Sequence, residues 1–328
     1  MRLILLLFVL AQSSTNLGAA ETEGGVVLTS LPGRVRIEVD AKPFTEYIFT
    51  GARRPFLYPI LMPDGVALSR DFPMKEPPGE DHDHPHHRSL WFAHGSVNGI
   101  DFWNEGSAGG STAKGTIVHD AFLETTSGTV GVIRARNRWL DPDGKLVCTD
   151  ETLIRIRGAS GYRMIDYEVT LHALPNEPLL LGDNKDGAMA IRLAQWMTMT
   201  HKIGKQELPG SGHIVTSTGK RDAEAWGVRA DWCEYHAPKA GKTYGVAIFD
   251  HPQNPRHPTW WMARDYGLFA ANPFGQHDFE NRKEEPHVGD YTIPADGSLT
   301  LRYRFVFHFG DEKVAHLAEL SGDYAKEK

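Results

Sequence analysis

The chain has 328 residues, and its 35 Lys and Arg against 42 Asp and Glu leave a formal net charge of −7. This charge speaks against nucleic acid as a partner, because phosphate backbones are bound by basic surfaces. The length allows one large β domain or two ordinary domains. Beyond the N-terminus, no stretch of the sequence is apolar enough to cross a membrane.

The N-terminus has the layout of a secretory signal peptide. Arg2 precedes an apolar run at residues 3–11, a polar stretch follows, and small residues end the segment at 18–20. The apolar run is about half of the ~20 residues that a membrane-spanning helix needs. We expect cleavage after Ala20, export to the periplasm or beyond, and a soluble mature chain that has no membrane contact.

Alternation of apolar and polar residues with a period of two dominates the mature chain and predicts β-strands. It is clearest at residues 34–39, 130–136, 152–157, 162–172, 244–249 and 299–309. An Asp-Pro-Asp-Gly turn at 141–144 joins two of these segments into a predicted hairpin. Many strands with short turns favour an all-β fold: one large two-sheet antiparallel β-sandwich over residues 21–328.

One segment near the C-terminus has helical periodicity. Val314, Leu317 and Leu320 recur at helical spacing after Asp311, a residue suited to an N-cap, and Gly322 follows as a stop signal. We predict a short helix that closes the domain.

The two cysteines, Cys148 and Cys233, both fall in strand-like segments. An exported chain could pair them in an oxidising compartment. Two buried free thiols are equally compatible with the sequence, because a free Cys packs as a small hydrophobe.

Five histidines lie within thirteen residues, at His82, His84, His86, His87 and His94. They could be acid/base groups or hydrogen-bond partners for a sugar-like substrate, because the pKa of imidazole lies near neutrality. They could instead bind a divalent metal, with His82 and His84 on one side of an extended chain and His86 or His94 as a third ligand. A purely structural role, with Pro85 stiffening the loop, is the third interpretation.

A second polar region follows residue 250 and contains Arg264, Asp265, Tyr266 and Asn272. Such a group can present a cation, a base and a phenol. It can equally serve to tie two loops together. Because loops of β-sandwiches commonly carry function, we expect this region to meet the histidine-rich segment.

Four long motifs resemble a bacterial family of unknown function whose members often carry the label methane oxygenase PmoA. They are H-P-H-H-R-S-L-W-F-A-H-G-S-V-N-G-I-D-F-W, G-D-N-K-D-G, A-W-G-V-R-A-D-W and R-D-Y-G-L-F-A-A-N-P-F-G, within residues 54–309. A true methane monooxygenase subunit crosses the membrane several times, so the label does not suit this chain. The resemblance implies an exported protein, often encoded beside carbohydrate-degrading genes, with a sandwich similar to the galactose mutarotase-like supersandwich.

The sequence therefore favours a carbohydrate-active enzyme that performs hydrolysis, elimination or epimerisation by His/carboxylate acid-base chemistry and requires no cofactor. A His-ligated metalloenzyme and a non-catalytic sugar-binding module are the alternatives. The predicted catalytic residues are His84, His87, His94 and Asp265. The predicted substrate-binding residues are Arg88, Trp91, Asn98, Asp101, Trp103, Arg264, Tyr266 and Asn272, with Asp101 also a possible partner carboxylate. The metalloenzyme alternative uses His82, His84 and His86.

Overall fold

The computed structural model of the protein describes residues 25–105, 112–159, 161–203 and 206–327. The predicted signal peptide lies outside these residues. Within them, no helix has the length and apolar character needed to cross a membrane.

The described residues form twenty strands and two short α-helices. In chain order the strands are β1 (Val26–Leu31), β2 (Arg34–Val39), β3 (Lys42–Ile48), β4 (Phe56–Leu57), β5 (Leu90–His94), β6 (Thr116–Thr126), β7 (Gly131–Leu140), β8 (Leu146–Ala159), β9 (Tyr162–His172), β10 (Leu179–Leu181), β11 (Gly187–Arg192), β12 (Thr200–Ile203), β13 (Gln206–Pro209), β14 (His213–Thr216), β15 (Trp232–Lys239), β16 (Lys242–Asp250), β17 (Trp260–Ala263), β18 (Leu268–Asn272), β19 (Tyr291–Ile293) and β20 (Ser298–Phe309). The helices are α1 (Gln276–Phe279) and α2 (Leu317–Tyr324), with 3-10 turns at Gln195–Met197 and Asp222–Ala225.

Two antiparallel sheets of eight strands each make up the sandwich. The first has the order β1-β2-β3-β4-β5-β11-β18-β17, and the second has the order β14-β15-β16-β20-β9-β8-β7-β6. Their inner faces share one apolar core, in which Phe44 of β3 meets Phe307 of β20 edge to face at 5.6 Å between ring centroids. The predicted all-β, two-sheet antiparallel sandwich is confirmed.

The strands follow the sequence pattern closely. Residues 34–39 and 162–172 coincide with β2 and β9, and β7 pairs with β8 across the predicted turn at 141–144, where Gly144 has φ of +82°. In β7 buried and exposed residues alternate along most of the strand. This alternation arises because successive side chains point to opposite faces of a sheet.

The C-terminal helix is confirmed, but both of its predicted ends are wrong. Asp311 caps the preceding turn, since its carboxylate accepts hydrogen bonds from the N–H groups of Lys313 and Val314. His316, with φ of +52°, then interrupts the helical path, and α2 begins only at the following residue. The helix continues through Gly322, because packing of its apolar side on the second sheet outweighs the modest cost of a helical glycine.

Cys148 and Cys233 are buried free thiols on β8 and β15. Burial raises the pKa of both thiols well above the usual value. They pack as small apolar side chains in the core.

Candidate functional site

Three adjacent strands of the first sheet bring the two predicted polar regions to one end of the sandwich. In the order β5-β11-β18, Leu90 at the start of β5 pairs with Ile191, and Arg192 at the end of β11 pairs with Leu268 at the start of β18. The histidine-rich loop that leads into β5 and the turn that holds Tyr266 therefore lie side by side.

Three aromatic rings, which we call the imidazole stack, form the centre of this site: His84, His87 and Tyr266. The His84 ring is parallel to the His87 ring, with centroids 4.7 Å apart, and to the Tyr266 ring, with centroids 5.4 Å apart. The His84 side chain is 42% exposed, whereas His87 is buried. His84 also has φ of +42°, which is strained for a residue with a Cβ and is common at functional positions.

Asp83 anchors His84 from the protein side. Its Oδ2 accepts a hydrogen bond of 2.6 Å from Nδ1 of His84, and its Oδ1 accepts from the guanidinium groups of Arg192, at 2.8 Å, and Arg70. Burial alone would raise the pKa of Asp83, but the bond from His84 and the two arginine charges outweigh it and hold the pKa well below its usual range. The carboxylate is thus a fixed anion at neutral pH.

Two buried arginines shape the loop around this carboxylate. Arg70 donates to the backbone carbonyls of Phe72, Asp83 and His84, and so holds the chain on both sides of the bend. Arg192 reaches the site from the end of β11 and places its guanidinium carbon 4.6 Å from the centre of the Tyr266 ring. Both guanidinium groups therefore bind the Asp83 carboxylate. Arg70 also holds the backbone of the loop, and Arg192 also contacts the Tyr266 ring.

The two buried histidines of the loop, His86 and His87, are neutral at physiological pH. Burial, reinforced by the Arg192 charge, lowers the pKa of His87 well below its usual value, and burial lowers the pKa of His86 to about 3. Arg192 Nη1 lies 3.1 Å from Nδ1 of His87. Because a guanidinium can only donate, Nδ1 is the acceptor and the ring carries its proton on Nε2.

Several predicted substrate-binding residues form the support of the site. Trp91 and Trp103 are buried, and Trp91 stacks on His87 with ring centroids 5.4 Å apart. Arg88 makes a bidentate ion pair with Glu105 at 3.0–3.1 Å. These contacts hold the histidine-rich loop in place.

Asp101 is buried and committed to local bonds. It accepts from the backbone N–H of Trp103 and from Nζ of Lys114, both at 2.9 Å. Burial would raise the pKa of Asp101, but the bonds from Lys114 and Asn104 lower it below the usual value.

Some predicted residues lie at the opposite end of the same strands. His94 closes β5, is buried, and has Nε2 2.7 Å from the carbonyl oxygen of Gly182. Asn98 sits in an exposed turn and accepts a hydrogen bond of 2.7 Å from the backbone of Leu180. Strands rise about 3.3 Å per residue, so the length of β5 separates these two from the imidazole stack.

The predicted residues that follow residue 250 also lie at both ends of the first sheet. Asn272, at the far end of β18, donates to the carbonyl oxygens of two loop residues at 2.9–3.0 Å. Arg264 stacks its guanidinium 3.8 Å from the centre of the Trp226 ring. Asp265 is exposed, and its carboxylate accepts from the N–H of Tyr266. Tyr266 is the member of this region that belongs to the imidazole stack. The catalytic and binding roles of the other residues stay predictions.

The predicted metal ligands point to different surroundings. His82 stacks on Phe72, with ring centroids 4.4 Å apart, while His84 faces Tyr266. In the part of the chain that the structure describes, the histidine-rich loop does not bring three ligand atoms together; one other group does, and it is treated below.

A surface cavity of about 720 Å³ lies beside a small crevice at the site. Trp196, Asp71 and Glu80 line the cavity, and Arg70, Arg192 and Tyr266 line the crevice. Both recesses share Gln195 and His201 in their walls.

Sequence reasoning missed the three charged residues that organise the stack. Asp83 was visible as the acid beside His84 in the run Asp-His-Asp-His. Arg192 was visible as a lone cation at the end of the otherwise apolar segment 187–191. Arg70 gave no comparable signal, because one Arg in a loop is ordinary.

The fold and the site define a two-sheet, all-β protein with an anchored Asp–His pair at one end of the sandwich. The chain belongs to the family of unknown function DUF6807, whose model matches residues 34–321. No curated protein matches the sequence at a significant level.

Solved structures that align with this chain include three α-galactosidase structures. The galactosidase domain of the α-galactosidase–sucrose kinase AgaSK aligns at 8% identity and a TM-score of 0.39, over 87% of this chain and 42% of that one. The GH36 α-galactosidase AgaB from Geobacillus stearothermophilus aligns at 11% and 0.42, over 87% and 41%. A variant of AgaA from the same organism, in complex with raffinose, aligns at 11% and 0.38, over 87% and 40%. This chain thus spans less than half the length of each.

Proposed function

We propose that the protein is a carbohydrate-active enzyme in which His84 is the acid/base group. The observation that carries the proposal is the exposed His84 imidazole, whose Nδ1 is bonded to Asp83 at 2.6 Å and whose ring is stacked on His87 and Tyr266. Nδ1 is occupied as a donor, so Nε2 remains to exchange a proton with a substrate.

Asp83 acts as the positioning residue for His84. Two arginines hold its carboxylate as an anion, so it orients the imidazole and stabilises the cation that forms when His84 takes a proton. The parallel rings restrict rotation of the imidazole. A base held in one orientation meets the geometric requirement for proton transfer without reorganisation.

Of the three candidate reactions, proton abstraction, as in elimination or epimerisation, fits these residues best. Glycoside hydrolysis ordinarily uses two carboxylates on either side of the scissile bond. The carboxylate nearest to His84 is saturated by Arg70 and Arg192 and is therefore a poor nucleophile. A single exposed imidazole is sufficient to remove a proton from a sugar carbon next to a carbonyl or carboxyl group.

The adjoining cavity supports a sugar-type ligand. Its volume of about 720 Å³ falls in the ordinary range for small-molecule sites. Trp196 offers an aromatic surface, and Asp71 offers a planar carboxylate, one oxygen of which accepts from Tyr58. Glu80 and Gln195 also line the cavity, but they bond to backbone groups of its wall. Sugars are recognised by this combination, because their C–H faces stack on aromatic rings while their hydroxyls bond to planar groups. Without chemistry at His84, the same cavity would make the protein a sugar-binding module.

The test compares His84→Gln and Asp83→Asn with His287→Gln, a control at an exposed histidine outside the site. Each purified protein is incubated with neutral, keto- and uronic-acid oligosaccharides in D₂O, and mass spectrometry and NMR follow deuterium uptake and unsaturated products. Binding is followed by the shift in thermal unfolding.

We expect the wild type and His287→Gln to turn over a member of the panel. His84→Gln should lose about 10²–10⁴-fold in rate while it keeps binding, which is the usual contribution of one general base. Binding without turnover by the wild type would favour the sugar-binding module. Neither binding nor turnover, or unchanged turnover by His84→Gln, would overturn the proposed enzyme.

Export of the chain remains part of the proposal. N-terminal sequencing of the protein recovered from outside the cytoplasm should begin at Glu21, and recovery of an uncleaved chain would contradict it.

A further inference from the structure

A second group of ionisable residues, which we call the outer-face cluster, lies on the second sheet: Glu234, His236, His308 and Glu312. Glu234 and His236 are two residues apart on β15 and so point to the same face of the sheet. Trp232 shares that face and packs with Leu317 of α2 in a small apolar cluster. The C-terminal segment therefore covers the outer-face cluster.

A glycine makes room for the cluster. His236 pairs with Gly245 on β16, and Gly245 pairs with His308 on β20, so the three form a row across three strands. A Cβ on Gly245 would clash with the His308 ring and lie 2.9 Å from Oε1 of Glu234. The missing side chain leaves the room that the His308 ring and Oε1 of Glu234 occupy.

Two buried polar atoms beside Gly245 have no hydrogen-bond partner among the residues that the structure describes. Oε1 of Glu234 and Nε2 of His308 are 3.4 Å apart, without hydrogen-bond geometry, and both side chains are completely buried. The other carboxylate oxygen of Glu234 accepts from Nδ1 of His236 at 2.9 Å. A buried carboxylate with an unsatisfied oxygen is costly, unless a cation completes its coordination.

Glu312 adds a second carboxylate from the segment that follows β20. One ligand atom from each of Glu234, His236 and Glu312 lies within 4.8 Å of the other two. Glu312 also makes an ion pair of 2.7 Å through Oε1 with the half-exposed Arg221. Side chains from β15, from β20 and from the start of the C-terminal segment thus meet in the outer-face cluster.

We propose that Glu234, His236 and Glu312 bind one Zn²⁺ ion, which ties the C-terminal segment to the outer face of the second sheet. Mixed imidazole and carboxylate donors suit Zn²⁺, whereas Ca²⁺ and Mg²⁺ prefer oxygen ligands alone. His308 stands beside Glu234 as a further nitrogen donor. The site is independent of the imidazole stack, which belongs to the first sheet.

The experiment measures Zn²⁺ binding to the full chain after treatment with EDTA, by elemental analysis and isothermal titration, and follows thermal unfolding with and without Zn²⁺. Glu312→Gln removes a ligand at a partly exposed position, where folding is least at risk. Arg221→Gln is the matched control, because it breaks the same ion pair and leaves all three ligands. His84→Gln tests the histidine-rich loop as a competing site.

We expect one Zn²⁺ per chain and a higher unfolding temperature with Zn²⁺, because a ligand that binds the native state stabilises it. Arg221→Gln and His84→Gln should retain the ion, and Glu312→Gln should lose it. No Zn²⁺ binding by the wild type, undiminished binding by Glu312→Gln, or loss of binding in His84→Gln alone would overturn the proposal. Circular dichroism verifies that each variant is folded.

Discussion

The imidazole stack and the outer-face cluster both place a histidine against a carboxylate, but they differ in how many cations surround that carboxylate. Asp83, beside the stack, has His84 and two guanidinium groups around it. Among the described residues, Glu234 in the outer-face cluster has a hydrogen bond from His236 on one oxygen and no partner on the other. The first carboxylate is saturated, and the second is not.

This difference determines what each site can do. A carboxylate saturated with hydrogen bonds is poorly placed to coordinate an ion and stays ionised at neutral pH, so it serves to orient the imidazole that it contacts. An unsaturated buried carboxylate attracts a cation, because its remaining lone pairs have been removed from water without compensation. Three measurements test the contrast between the two carboxylates and the neutral histidines around them.

The largest effect should come from removing one of the two guanidinium groups that bind Asp83. Arg192→Met leaves Asp83 short of a partner and His87 without its donor, and loss of one partner of a buried ion pair costs about 3–5 kcal/mol of unfolding free energy. Arg134→Met, which breaks an exposed pair with Glu151, should cost about 0–1 kcal/mol. Urea unfolding measures both variants, and equal losses would show that the Asp83 carboxylate does not depend on saturation.

A second effect comes from acid. Burial lowers the pKa of His94 to about 4, below the value of about 6.5 in an unfolded chain. The unfolded state binds the extra proton in this range, so stability is full above pH 6.5 and is lost as the pH falls towards 4, by an amount on the order of 3 kcal/mol. Asp83, with its lowered pKa, adds a further loss only below its ordinary value near 3.9.

Urea unfolding at intervals from pH 7.5 to 4 tests this linkage. His94→Gln can keep a hydrogen bond to the Gly182 carbonyl and should show a shallower decline than the wild type. His287→Gln, at an exposed position, should follow the wild-type curve. A wild-type unfolding free energy that stays constant between pH 6.5 and 4 would contradict the assignment of neutral buried histidines.

The smallest change is made where Gly245 gives room to the outer-face cluster. Gly245→Ala places a methyl group against the His308 ring and should cost about 1–3 kcal/mol, as overpacking usually does. It should also abolish Zn²⁺ binding. Gly322→Ala in α2 meets no atom within 4 Å and should instead stabilise the protein by about 0.5–1 kcal/mol. Retention of Zn²⁺ by Gly245→Ala would show that the ion lies elsewhere.

Much of the site was within reach of the sequence. The crowding of His84, His86 and His87 marked the loop, and the aromatic turn at Tyr266 was named as its partner region; the structure brings them into contact. The sequence favours Asp265 or Asp101 as the partner carboxylate, whereas the carboxylate bonded to His84 is Asp83. The spacing along the chain could not reveal that the Asp265 side chain is exposed to solvent while the next residue, Tyr266, is partly buried.

The fold class can be predicted from the sequence, because alternation with a period of two and turn residues such as Gly144 act locally, and each strand carries its own pattern. The set of polar residues that share a site depends on the tertiary structure. Arg192 meets His87, 105 residues earlier, only because β11 lies between β5 and β18. Likewise, Glu312 reaches Glu234 only because the chain folds back over the outer face. Such pairings depend on strand order, which is set by the free energy of burying the whole core and is not encoded in any short segment.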